Sequence, residues 1–169
     1  MPKPGMRWRH VVISTLNSWL PGDPRGFRTK GHDIHSSGDY KHPPPKGEHA
    51  GLHQYSKQIS GNPVVIPRDL REVVGRAILA KLRKLDYQVL VIAVAGMHCH
   101  FLVELPEDIK RVRHIVGQCK TVSSHAIRGW MLWPRMGTPR EVRAGEDDRA
   151  SAQRIQVHPA AEKRLDLVV

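Results

Sequence analysis

Hydrophobic and polar positions along the chain group into five periodic stretches separated by turn-rich sequence. Trp8 to Leu16 predicts a strand, with β-branched Val11, Val12, Ile13 and Thr15. Pro67-Arg68-Asp69 opens a helix, with proline near the first helical position and an acid in the first turn. Leu70, Val73, Val74, Ala77, Ile78, Leu82 and Leu85 then recur at helical spacing. Gln88 to Ala95 is a near-continuous β-branched run, the pattern of a strand buried on both faces. After a Gly96-Met97 break, His98 to Leu105 predicts the next strand, ended by Pro106. From Asp108 a second helix runs to about Arg128. Ile109, Val112, Ile115, Val116, Cys119, Val122 and Ala126 form its apolar side, and Arg113, Lys120, Ser124 and Arg128 gather on the opposite one.

The order strand, helix, strand, strand, helix predicts an α+β fold, a ferredoxin-like βαββα(β) sandwich with an antiparallel sheet. No segment stands out as the final strand: Trp130 to Trp133 is too short, and the residues after Trp133 have no period of two. Residues 17–66 read as a long irregular insertion, with Pro21-Gly22-Asp23-Pro24, Ser36-Ser37-Gly38-Asp39 and Pro43-Pro44-Pro45 as turn or extended signals. A loop of that length inside a compact domain is either functional or partly mobile. Residues 1–133 therefore read as one domain carrying this insertion, and 134–169 as an atypical tail.

Charge narrows the partner. The chain has 169 residues, 27 Lys plus Arg against 16 Asp plus Glu, and a formal charge of +11. The excess is +5 over residues 1–66, +5 over 67–133 and only +1 over 134–169. Such a surplus suits a polyanion, whose counterions are released on binding, or else a solvated basic surface with no partner. The longest apolar stretch, Val89 to Ala95, falls far short of the ~20 residues of a membrane span. Met1 to Gly5 carries no apolar run of a signal peptide, and two cysteines make no disulfide framework. A cytoplasmic protein outside the membrane is the expectation.

His98-Cys99-His100 is the sharpest local feature. Alternation along a strand puts both imidazoles on one side, about 7 Å apart, and turns Cys99, Phe101 and Val103 the other way, into a core. Two such histidines can share one divalent ion that keeps positions open for phosphate oxygens and water. They can equally be polar residues on a solvent-facing sheet. Glu104 shares their face, as a further ligand or a rim carboxylate. His32, His35, His42, His49 and His53 are scattered through the insertion at no familiar ligand spacing, and Cys119 reads as core. Lys120 and Ser124 are placed to meet phosphate, or to be solvated helix surface.

The strand Gly96-Met97-His98-Cys99-His100-Phe101-Leu102-Val103-Glu104-Leu105-Pro106 resembles the His-hydrophobic-His strand of single-tyrosine HUH transposases. The helix with Ile115-Val116-Gly117-Gln118-Cys119-Lys120 and Ser123-Ser124 resembles the one that follows it in that family. Val11-Val12-Ile13-Ser14-Thr15 and Trp19-Leu20-Pro21-Gly22-Asp23-Pro24-Arg25-Gly26 are similar to the REP-associated tyrosine transposase branch. The likeness runs from about Arg7 to Arg128. It implies a ferredoxin-like nuclease that cuts and rejoins single-stranded DNA at hairpin-marked ends, usually as a homodimer. It also implies Mg or Mn held by His98 and His100; the polar side of the second helix, Arg113, Lys120, Ser124 and Arg128, is then the expected DNA-binding surface. In the family a tyrosine on a C-terminal helix attacks the phosphate and forms a phosphotyrosine link.

That tyrosine is missing. Tyr40, Tyr55 and Tyr87 all precede the histidine pair, and no tyrosine comes after it. Residues 134–169 hold no aromatic residue at all. A reading-frame shift between Ile127 and Pro134 accounts for both: one base forward, Met136-Gly137 must read through a tryptophan codon, and a tyrosine codon fits across Val157 and His158. On this reading the tail is frameshifted and disordered. The sequence thus predicts a transposase-like, single-stranded-DNA-binding protein that is catalytically defective, with a non-catalytic module for hairpin DNA or RNA as the alternative.

Overall fold

A computed structural model describes residues 2–27, 34–38, 42–127 and 132–133 in full, and the backbone of 142–144 and 164–165. By contact the chain divides into two units, Met1–Thr15 with Val65–Val169, and Leu16–Val64.

The first unit is α+β. Strand β1 (Met6–Ser14) pairs antiparallel with β3 (His98–Pro106), which pairs antiparallel with β2 (Val89–Val94). Two short strands extend the sheet, β4 (Val142–Ala144) beside β1 and β5 (Arg164–Leu165) beside β2, giving the order β4-β1-β3-β2-β5. β4 takes the edge for which the sequence offers no candidate. Three residues are too few for an alternation to show, so only pairing reveals it. β4 and β5 fall within the tail expected to be disordered and pair with the sheet there; the remainder of 134–169 lies outside the described residues.

Register explains which residues are inside. Val11 lies opposite Phe101 and Ile13 opposite Cys99, while Ile92 and Val94 on β2 meet the same two β3 positions. Partners across a ladder share a face, so these six form one apolar surface, and all are buried. Helices α2 (Arg71–Lys84) and α3 (Ile109–Ala126) pack on that surface and on each other. α2 contributes Val74, Ile78, Leu79 and Leu82, and α3 contributes Val112, Ile115, Val116 and Cys119. The buried side of α3, which carries Cys119, packs against α2 and β3, which places α3 on the Cys99 face.

The helix ends follow local chemistry. A single 3₁₀ turn, Arg68–Leu70, precedes α2 after Pro67. Lys81, Arg83 and Lys84 occupy the last turn of α2, where cations favour the macrodipole. Asp108 caps α3 by accepting from the Lys110 backbone N–H at 2.9 Å. Beyond α3, Leu132 and Trp133 are buried, and the Trp133 indole N–H donates to Ser123 Oγ at 2.9 Å.

β2 departs from its expected burial on both faces: Ile92 and Val94 are buried but Leu90 is 47% exposed. A bulge between Val89 and Val91 interrupts the register with β3 at this point and turns Leu90 outward. On α3, Ile109 and Ala126 are exposed and Ser123 is buried instead, its hydroxyl donating to Cys119 O at 2.8 Å.

The second unit, Leu16–Val64, is more ordered than an irregular insertion. It contains helix α1 (Ala50–Ser60) and a cleft of about 200 Å³ lined among others by Asp23, Pro44, Glu48, His49 and His53. Of α1, only Ser56 is buried, so no apolar stripe marks it in the sequence. Among the described residues, no helix is long and apolar enough to cross a membrane.

Candidate metal centre

The face of the sheet opposite α2 and α3 carries the chemistry. Ser14 pairs with His98, Val12 with His100, His10 with Leu102 and Trp8 with Glu104, so all eight side chains point to this side. His98 and His100 are half-buried, and their ring centroids lie 4.8 Å apart at an interplanar angle of 87°. The rings thus lean together from the spacing that backbone alone would set.

A third imidazole joins them. His10, on the neighbouring strand, lies beside His100 with centroids 5.1 Å apart and planes 22° from parallel. Its Nε2 lies 2.9 Å from His100 Nδ1, a hydrogen bond between the rings. His10 was not among the candidate ligands of the sequence, although a signal for it exists: on β1 it alternates with Val11 and Ile13, and so belongs on the polar face.

Glu104 is neither a rim carboxylate nor part of this cluster. It is 1% exposed and accepts a hydrogen bond from the Lys3 backbone N–H. Residues near the N-terminus, folding over the end of β3, bury it. On the opposite face of the sheet Arg9 is also buried, and its guanidinium donates to the carbonyls of Pro106 and Glu107, the latter at 2.9 Å.

The predicted DNA contacts stand apart from the histidines. Arg113 is exposed, and Lys120 and Ser124 are half-buried on the same flank of α3. Burial holds the Lys120 ammonium below the usual lysine range. Because α3 covers the Cys99 face, these residues and the histidine pair lie on opposite sides of the sheet. Arg128 lies outside the described residues. Cys99 and Cys119 are buried, as core residues should be.

Fit to a divalent ion is partial. Two imidazoles at this separation supply two ligands, and imidazole nitrogen suits manganese better than magnesium, which prefers oxygen. Among the described residues no group of three or more His, Cys, Asp or Glu is arranged to hold a metal. The pair is therefore half a coordination sphere, and phosphate oxygens and water would have to complete it.

The Trp19-to-Gly26 segment forms a self-locked turn in the second unit. The Asp23 carboxylate, 5% exposed, takes hydrogen bonds from Arg25 Nε at 2.8 Å and from the Arg25 backbone N–H at 2.9 Å. Burial pushes the Asp23 carboxyl up, but the Arg25 hydrogen bonds and charge outweigh it, leaving its pKa below the usual value. Arg25 also donates to Ser18 O at 2.7 Å and lies 4.2 Å over the Trp19 ring, whose indole N–H donates to Gly26 O at 2.8 Å. The side chains of Trp19, Asp23 and Arg25 thereby spend their polar groups within the turn.

Compared with family models, with curated proteins and with solved structures, the chain matches none.

Proposed function

We propose that this chain is a transposase-like protein that binds single-stranded, hairpin-forming DNA and uses His98 and His100 to hold a divalent ion, Mg or Mn, against a phosphate. The observation that carries the reading is the pair of leaning imidazoles on the sheet face opposite α2 and α3, 4.8 Å between centroids. The strand order β4-β1-β3-β2 with both helices on one face supports the ferredoxin-like sandwich that the resemblance implies. When bound, the ion would neutralise and polarise a phosphate oxygen. The chain's own part is to orient that ion from a rigid strand, since β3 is held by ladders on both sides.

Cleavage is the step for which the chain lacks a group. Tyrosine is a poor nucleophile near neutral pH and depends on a metal-activated phosphate. Here no tyrosine comes after the histidines to use one. The protein therefore binds DNA and leaves it intact, in the cytoplasm and as a homodimer by the same resemblance.

The basic excess supports a second reading, a metal-independent module for hairpin DNA or RNA. Fluorescence anisotropy with a labelled single-stranded hairpin separates the two. The first reading predicts that Mn tightens binding, that the His98→Ala/His100→Ala double variant loses the Mn effect, and that a denaturing gel shows neither a cut strand nor a covalent adduct. Binding that ignores both Mn and the histidines moves the metal-independent module ahead.

A further inference from the structure

His10 touches the pair without converging on it. Its Nε2 meets His100 at Nδ1, with the two rings edge to edge in nearly parallel planes. A hydrogen bond between two neutral imidazoles has one donor and one acceptor, and its direction fixes the tautomer of both rings. If His10 donated, His100 would carry its proton on Nε2 and could offer neither nitrogen to a metal. If His100 donates from Nδ1, its Nε2 keeps a lone pair for the ion. A metal-ligating histidine almost always donates its other N–H to a fixed partner in this way.

We propose that His10 is a positioning residue: it accepts the Nδ1 proton of His100, holding that ring in the tautomer whose Nε2 ligates the divalent ion. The inference rests on the metal reading above and extends it to a residue outside the His-x-His strand. Geometry favours the role. His10 sits diagonally across the ladder from His100, one strand over, so its ring is delivered by backbone pairing rather than by a flexible loop.

Two variants separate positioning from packing. His10→Phe keeps an aromatic ring but accepts no hydrogen bond, whereas His10→Gln loses the ring and keeps an acceptor oxygen. Long-range ¹H–¹⁵N correlations of the metal-free protein report the tautomer of His100, and Mn titration by electron paramagnetic resonance reports affinity. The proposal predicts the Nδ1–H tautomer for His100 in the parent and in His10→Gln, and a mixture in His10→Phe. It predicts Mn affinity near the parent's for His10→Gln and ~10–100-fold weaker for His10→Phe.

An Nε2–H tautomer of His100 in the parent would overturn the proposal whatever the metal result. So would a His10→Phe variant that binds Mn as tightly as the parent while His98→Ala/His100→Ala does not, and that outcome leaves the metal reading standing. Equal binding, or none, in the parent and in the double histidine variant would bring down the metal reading and this proposal together. Matching far-ultraviolet dichroism across the variants is the control for folding.

Discussion

Ser123 shows how one hydroxyl can tie a helix to the segment beyond its C-terminus. Its Oγ donates to Cys119 O at 2.8 Å and accepts from Trp133 Nε1 at 2.9 Å, with all three residues buried. Ser123→Ala leaves the indole N–H without that acceptor. The expected cost is ~1–3 kcal/mol, read as a lower urea midpoint at unchanged slope. A midpoint within error of the parent would mean that Trp133 finds another partner. The two thiols give a second check at this scale. Burial pushes Cys119 up to about 12 and Cys99 higher still, so almost no thiolate exists in the folded protein at mildly alkaline pH. A thiol reagent at pH 8 should label neither cysteine in the native protein and both in urea; rapid native labelling of either would contradict the packing of α3 on β3.

At the scale of elements, what the sequence made legible depended on periodicity. β1, α2 and α3 bury one regular face each, and alternation or helical spacing announces them; β3 alternates only over His98–Phe101 and is buried on both faces from there to Pro106. α1 is different: Tyr55 and Ile59 are exposed and only Ser56 is buried, so the apolar pattern that would announce it is absent. What seats α1 is a close backbone approach. Gly22 has φ +83°, and a Cβ there would collide with the His53 backbone N and meet His49 O at 2.8 Å. Gly22→Ala therefore combines an unfavourable left-handed backbone, ~1 kcal/mol, with displacement of the first turn of α1. Native-state hydrogen exchange should show the His53 amide, bonded to His49 O at 2.9 Å, losing protection. Retained protection would mean the turn and the helix are not held by that approach. The histidine pair was legible for the same reason that β3 was, through strand alternation, whereas the burial of Glu104 was not. It depends on Lys3, 101 positions away in sequence, and no local pattern carries that.

Across the whole molecule, charge and geometry point to a polyanion in different ways. A net +11 predicts that nucleic-acid affinity falls linearly on a log–log plot against salt. That slope counts phosphates and says nothing of chemistry. Chemistry rests on the sheet face opposite α2 and α3, where His98, His100 and His10 meet, while Arg113, Lys120 and Ser124 occupy the side covered by those two helices. A nucleic acid touching both sets would have to pass around an edge of the sheet. The ion site consequently stands or falls independently of the basic surface. Anomalous diffraction from crystals soaked in Mn tests it most directly. The metal reading predicts a manganese peak coordinated by one nitrogen from each of His98 and His100, absent in the double alanine variant. A peak elsewhere, or an empty pair at saturating Mn, would contradict it.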